Sequence, residues 1–181
     1  MKRNTIVVAN WKMNCSKTFI TEMAECLNSI TVNENVNVIV SPSSPYLNLA
    51  NDVFNHHKIS VCAQNMSEFT SGAFTGEISS EMLNDLMIEY VILGHSERRS
   101  IYHESNELIA KKVKTALNSG LKPIFCIGET EQDRTTGLTE KILKLQLQTV
   151  IDEVGIEGFD DIVLSYEPLW AIGTGNTASP E

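Results

Sequence analysis

A carboxylate, a histidine and a lysine each stand just after an apolar run of this sequence. Glu167 ends the run IVLSYE, His95 follows YVILG, and Lys12 follows TIVVAN. A carboxylate can act as a general base, while a lysine cation and an imidazole N–H can stabilise an anionic oxygen. His95 also stands near a predicted helix start, where extra positive charge is disfavoured and a neutral imidazole is expected. If the three residues meet, the sequence predicts a site with a base, a neutral donor and a cation.

The loop after Glu167 adds a possible ligand-covering segment. Pro168 disfavours helical geometry for the residue before it, so the chain must leave the strand as a loop. Gly173 and Gly175 provide backbone N–H groups that can approach a ligand closely. An ordinary solvated Glu, a structural histidine and a surface lysine are the alternatives for these positions taken one at a time.

Two further residues stand beside the candidates. Asn10 precedes Lys12 by two residues, so both side chains share a face if extended geometry continues, with Trp11 turned to the other side. Glu97 follows His95 by two residues. We expect Glu97 to support the site through an ion pair with Lys12 or a neighbouring arginine rather than to act on a substrate itself.

Alternating strand and helix patterns must position these side chains. Six apolar, β-branched runs are each predicted to be a strand buried on both faces: TIVVAN, VNVIVS, ISVCAQ, YVILGH, LKPIFCIG and DIVLSY. Segments with helical spacing of apolar residues lie between them, as at Phe19, Met23 and Leu27. This alternation predicts an α/β fold of parallel βαβ units. Ligand sites of such folds lie at the carboxyl ends of the strands, where the candidates stand.

Composition limits the class of protein. The chain has 181 residues, 42% of them hydrophobic, which fits a single domain over 1–181. Its net charge of -9 argues against nucleic acid or an anionic membrane as a partner. No apolar stretch is long enough to span a bilayer and the start is too polar for a signal peptide, so a cytoplasmic location is expected. The four cysteines and four histidines lack metal-site spacing, so no metal is expected.

The loop GAFTGE carries an aromatic residue between glycines. An exposed Phe74 beside Thr75 would indicate a surface for a partner. The alternative is a tight loop whose Phe74 folds back onto its own core.

Five motifs in this order resemble the triosephosphate isomerase family over the whole chain: ANWKMN, GAFTGE, GHSERR, IFCIGE and YEPLWAIGTG. The resemblance implies a (β/α)8 TIM barrel, the interconversion of dihydroxyacetone phosphate and D-glyceraldehyde 3-phosphate, no cofactor and a homodimer. It also implies roles for six residues: Asn10 and Lys12 in the substrate site, His95 as electrophile, Glu167 as base, Gly173 as a phosphate-binding lid amide, and Thr75 reaching the neighbouring subunit.

Length is where the chain departs from the family. A barrel of this type usually has about 250 residues, so we expect an incomplete barrel of about six βα units, truncated at its C-terminal side. The ending SPE supports this expectation because it has the pattern of a helix start. Two alternatives therefore stay open: an inactive remnant that acts only through surface contacts, and another phosphosugar barrel isomerase.

Overall fold

Six parallel strands form one sheet in the order of the chain. The computed structural model describes residues 5–54, 59–172 and 175. Each strand pairs with the next in sequence, which confirms the predicted incomplete barrel of six βα units. The strands are β1 (Thr5–Asn10), β2 (Val36–Ser41), β3 (Ile59–Ala63), β4 (Tyr90–Leu93), β5 (Lys122–Ile127) and β6 (Val163–Tyr166).

Helices connect the carboxyl end of each strand to the amino end of the next. They are α1 (Lys17–Asn28), α2 (Leu47–Phe54), α3 (Ser80–Asp85), α4 (Ser96–Ser100), α5 (Asn106–Asn118), α6 (Glu131–Thr135) and α7 (Thr139–Val154), with 3-10 turns at Ser44–Tyr46 and Glu157–Asp161. Ser79 caps α3 through its side chain, and Gly120 follows α5 with φ of +75°, which its lack of a side chain permits. None of the helices in the described ranges is both long and apolar enough to cross a bilayer.

The two faces of the sheet bury different sets of side chains. The outer face packs against the helices, and the largest fully buried side chains of this layer include Phe125 and Leu93 of the sheet and Phe54 of α2. The inner face forms a smaller cluster of Ile39, Cys62, Tyr90, Ile92, Ile124 and Cys126, with Ile6 and Val163 packed against it. Alternate residues of each strand serve the two faces, because side chains of a strand point in opposite directions by turns.

The expectation that all six strands are buried on both faces is wrong for β1 and β6. Val7 and Leu164 are each about half exposed, at 50% and 47%. Within the described sheet, β1 is bonded only to β2 and β6 only to β5, so each lacks the cover of a second neighbour. Of the four strands between them, β4 is fully buried as predicted and β5 is buried except at Lys122. Ser60 of β3 and the first half of β2, 36–38, are only partly buried.

Candidate active site

Glu167 stands one residue beyond the carboxyl end of β6 and continues its pairing with β5. Its backbone N–H donates to the Ile127 carbonyl at 2.8 Å. Gly128, the next residue of the neighbouring chain segment, lies directly against the Glu167 backbone, and any side chain there would collide with the Glu167 carbonyl. Glycine at position 128 therefore lets the two strand ends approach closely enough to fix the origin of the Glu167 side chain.

The Glu167 carboxylate has polar neighbours at both of its oxygens. Oε2 lies 3.5 Å from His95 Nε2, and Oε1 accepts a hydrogen bond from the Ser165 hydroxyl at 3.0 Å. Cys126 Sγ lies 3.7 Å from the same Oε1. Burial, followed by the nearby charge of Glu167, raises the pKa of the Cys126 thiol, so this group stays uncharged at neutral pH.

His95 is the N-cap residue of α4 and is almost fully buried. Its Nδ1 accepts the backbone N–H of Glu97 at 3.2 Å. A ring nitrogen that accepts a hydrogen bond carries no proton, so a neutral imidazole has its N–H at Nε2, which is the nitrogen facing Glu167. The Nε2 side of the ring is thus aimed at Glu167.

Lys12 adopts a left-handed backbone conformation, with φ of +51°. The expectation that extended geometry carries Asn10 and Lys12 onto one face is wrong, because β1 ends at Asn10 and the chain turns there. Asn10 Oδ1 instead accepts the Lys12 N–H at 2.9 Å, which stabilises the turn. Trp11 packs edge-on against Phe19, with ring centroids 5.0 Å apart.

Glu97 connects the lysine with the histidine. Its Oε1 lies 2.9 Å from Lys12 Nζ, and its Oε2 lies 3.5 Å from His95 Nδ1. The ion pair with Lys12 that the sequence suggested is therefore present, and it holds the ammonium group beside the imidazole. Because both partners are partly exposed, water and ions screen this pair, and its main effect is on geometry.

The start of the loop after Glu167 is anchored on a buried carboxylate, Glu129, which follows β5. Glu129 accepts hydrogen bonds from the Trp170 indole N–H at 2.9 Å and from the Tyr166 hydroxyl at 3.1 Å. Its carbonyl accepts the Leu169 N–H at 3.0 Å. The Arg134 guanidinium lies 3.8 Å from Glu129 and stacks over the Trp170 ring at 4.2 Å. No pattern in the sequence indicates the contacts with Trp170 and Tyr166, because they join residues far apart in the chain.

The described structure does not test the predicted roles of Gly173 and Thr75. Gly173 lies outside the described residues. Thr75 is exposed in its loop, where Phe74 stacks on Phe69 with ring centroids 4.1 Å apart. Both phenylalanine rings remain partly exposed, so Phe74 contacts its own chain without being buried in the core.

The arrangement combines a base with donors for an oxyanion at the carboxyl ends of the strands. A carboxylate faces an imidazole N–H at 3.5 Å, and a lysine is held beside the same imidazole through Glu97. Such a set can abstract a proton and stabilise the negative oxygen that the abstraction creates. A separate cleft of about 570 Å³ lies at the amino ends of β5 and β6, away from these groups.

Similarity to known proteins shows which family the chain belongs to. The family model described as triosephosphate isomerase matches residues 5–181. A triosephosphate isomerase from Colwellia psychrerythraea is 52% identical over 183 residues, and one from Hydrogenovibrio crunogenus is 48% identical over 181 residues. One from Vesicomyosocius okutanii is 45% identical over 179 residues. Each comparison covers 99% of this chain and 72% of the relative. The match over nearly the whole chain places it, as an isomerase, in the triosephosphate isomerase family.

Proposed function

We propose that this chain interconverts dihydroxyacetone phosphate and D-glyceraldehyde 3-phosphate through an enediolate. The observation that carries the proposal is the approach of Glu167 Oε2 to within 3.5 Å of His95 Nε2. A substrate carbon and its carbonyl oxygen fit a site where a base and an N–H donor stand this close together. The printed names of the relatives agree with a triose phosphate as substrate.

Glu167 is proposed as the base. It takes a proton from the carbon next to the carbonyl, the C–H electron pair becomes the double bond of the enediolate, and the carbonyl electron pair moves onto oxygen. The proton of the neighbouring hydroxyl then moves to the oxygen of the former carbonyl. The same carboxyl group returns its proton to the former carbonyl carbon, the C=C electron pair forms the new C–H bond, and the other oxygen forms the new C=O bond, which exchanges ketose for aldose. No net oxidation takes place, so the step needs no redox cofactor.

His95 and Lys12 are proposed to stabilise the enediolate oxygen. A neutral imidazole N–H can donate a hydrogen bond without holding the charge of the intermediate too tightly, while the ammonium group supplies the positive field. Asn10 supports this assignment through its hydrogen bond to the Lys12 backbone, and Glu97 through its ion pair with Lys12. A preorganised donor of this kind typically contributes about 2.7 to 4 kcal/mol of barrier reduction.

The proposal extends to the phosphate, the assembly and the location. The loop that begins at Pro168 is the candidate lid, with Gly173 as a phosphate-binding amide. Thr75 is the candidate contact to a second copy in a homodimer, an assignment supported by the exposed Phe69–Phe74 pair beside it. A cytoplasmic enzyme without a metal or cofactor completes the proposal.

A spectrophotometric assay that couples glyceraldehyde 3-phosphate formation to a dehydrogenase tests the function. Glu167→Gln removes the base while keeping the shape of the side chain, so turnover should fall by about a hundredfold or more. Glu153→Gln, in an exposed ion pair on α7, is the matched control and should keep its turnover. Full turnover in the Glu167 variant would overturn the assignment of the base. A folded wild-type chain with no turnover would instead favour the inactive remnant.

A further inference from the structure

Ser165 lies on the inner face of β6, two residues before Glu167. The period of a strand puts both side chains on the same side of the sheet, and burial along β6 alternates accordingly. The Ser165 hydroxyl lies 3.0 Å from Glu167 Oε1. Because an ionised carboxylate only accepts hydrogen bonds, the hydroxyl must be the donor.

The two oxygens of Glu167 have different surroundings. Oε1 faces Ser165 and, at 3.7 Å, the Cys126 thiol. A thiol is a weak donor, so the serine supplies the stronger of these two hydrogen bonds. Oε2 faces His95 Nε2 at 3.5 Å. Ser165 thus holds Oε1 by a hydrogen bond from β6, and Oε2 is directed toward the His95 imidazole.

We propose that Ser165 is a positioning residue for the base, holding Oε1 so that Oε2 takes the proton from the substrate. This inference rests on the proposed role of Glu167. The hydroxyl limits rotation of the carboxylate about its terminal bond, a torsion that is otherwise broad. Correct orientation of a reacting group is a large part of catalysis, and a small misplacement is costly.

A pair of variants with the same shape separates the hydroxyl from its volume. Ser165→Thr keeps the donor and Ser165→Val removes it, and both β-branched residues suit a strand. Loss of a hydrogen bond to a charged group should lower kcat about tenfold in Ser165→Val. KM should stay within about twofold, since the hydroxyl contacts the base rather than the substrate. Ser165→Thr should recover most of the loss.

The control is Ser60→Ala. Ser60 shares the inner face with Cys62 on β3, three strands away from β6, so its loss should leave kcat close to wild type. Equal kcat values for Ser165→Val and Ser165→Thr would overturn the inference, and so would a loss of the same size in Ser60→Ala.

A second measurement decides the question even if the wild-type chain has no isomerase activity, an outcome that would count against the proposed function alone. Glycidol, a neutral epoxide, esterifies carboxylates: a carboxylate oxygen attacks a ring carbon, the ring C–O bond breaks, and the alkoxide takes a proton from water. Mass spectrometry reports the rate at Glu167 relative to the exposed Glu140. Ser165→Val removes the hydrogen bond to Oε1, so Glu167 should react with glycidol several times faster in this variant than in Ser165→Thr. Equal rates in the two variants would overturn the role of Ser165.

Discussion

At the scale of single residues, the backbone of Lys12 carries strain that its neighbours offset. A left-handed conformation costs a residue with a side chain about 1 to 2 kcal/mol. The Lys12 carbonyl accepts hydrogen bonds from the Ser43 hydroxyl at 2.7 Å and from Gln64 Nε2 at 2.8 Å, and its N–H donates to Asn10. These three bonds hold the turn that directs the ammonium group toward Glu97.

Ser43→Ala should weaken this support without touching the ammonium group. A neutral hydrogen bond contributes about 1 kcal/mol, so unfolding free energy should fall by about that amount. We expect kcat/KM to fall about three- to tenfold, because Lys12 is then less well placed. Chemical denaturation measures the unfolding free energy, and the coupled assay measures kcat/KM. The control is Ser44→Ala, since Ser44 is the exposed neighbour of Ser43; similar effects in both variants would contradict the role of Ser43.

At the scale of elements, a half-buried arginine and a buried lysine join the segments around the histidine. Arg99 of α4 donates to the carbonyls of Gly94 and Cys126 and to Asn106 Oδ1. Burial lowers the pKa of Arg99 to about 10, which still leaves it charged at neutral pH. Lys112 of α5 lies 2.7 Å from Glu104, which also accepts from Arg98 at 2.6 Å. The helix that His95 caps, α4, is therefore joined to its neighbours by charge-assisted hydrogen bonds.

Glu104→Ala should be strongly destabilising. It leaves the Lys112 ammonium group buried without its carboxylate, although Asn65 Oδ1 remains 3.1 Å away. Removing one partner of a buried pair typically costs about 3 to 5 kcal/mol. Glu153→Ala removes the partner of the exposed Lys114 and should cost less than about 1 kcal/mol. Urea unfolding of the two variants gives the comparison, and equal losses would show that burial of Lys112 does not matter.

The strands were predictable from the sequence because each one is indicated by its own residues. The apolar runs identified all six strands to within a few residues. The turn at Lys12 was not predictable, because Ser43 and Gln64 reach it from other strands. Ser165 could have been found, since the period of a strand already places it beside Glu167.

At the scale of the whole molecule, the burial of each strand depends on its neighbours in the sheet. The sequence runs of β1 and β6 resemble those of the central strands, yet their structural surroundings differ. The composition of a strand and the spacing of its apolar residues indicate how apolar the strand is. They do not indicate which elements pack against it in the folded structure. The convergence of Lys12, His95 and Glu167 was predictable from fold class, because parallel strands bring their carboxyl ends to one side.

The exposed edge of β1 should make this 181-residue chain prone to associate through its strands. Within the described sheet, the outer edge of β1 pairs with no strand and Val7 is half exposed. Such an edge is a template for pairing with another chain, and a lysine on it opposes that pairing. Val7→Lys should therefore reduce the fraction of species larger than a dimer, measured by sedimentation velocity at equal concentrations. Gln148→Lys, on the exposed side of α7, makes the same change of charge and is the matched control. If both variants associate alike, net charge rather than the edge of β1 governs association.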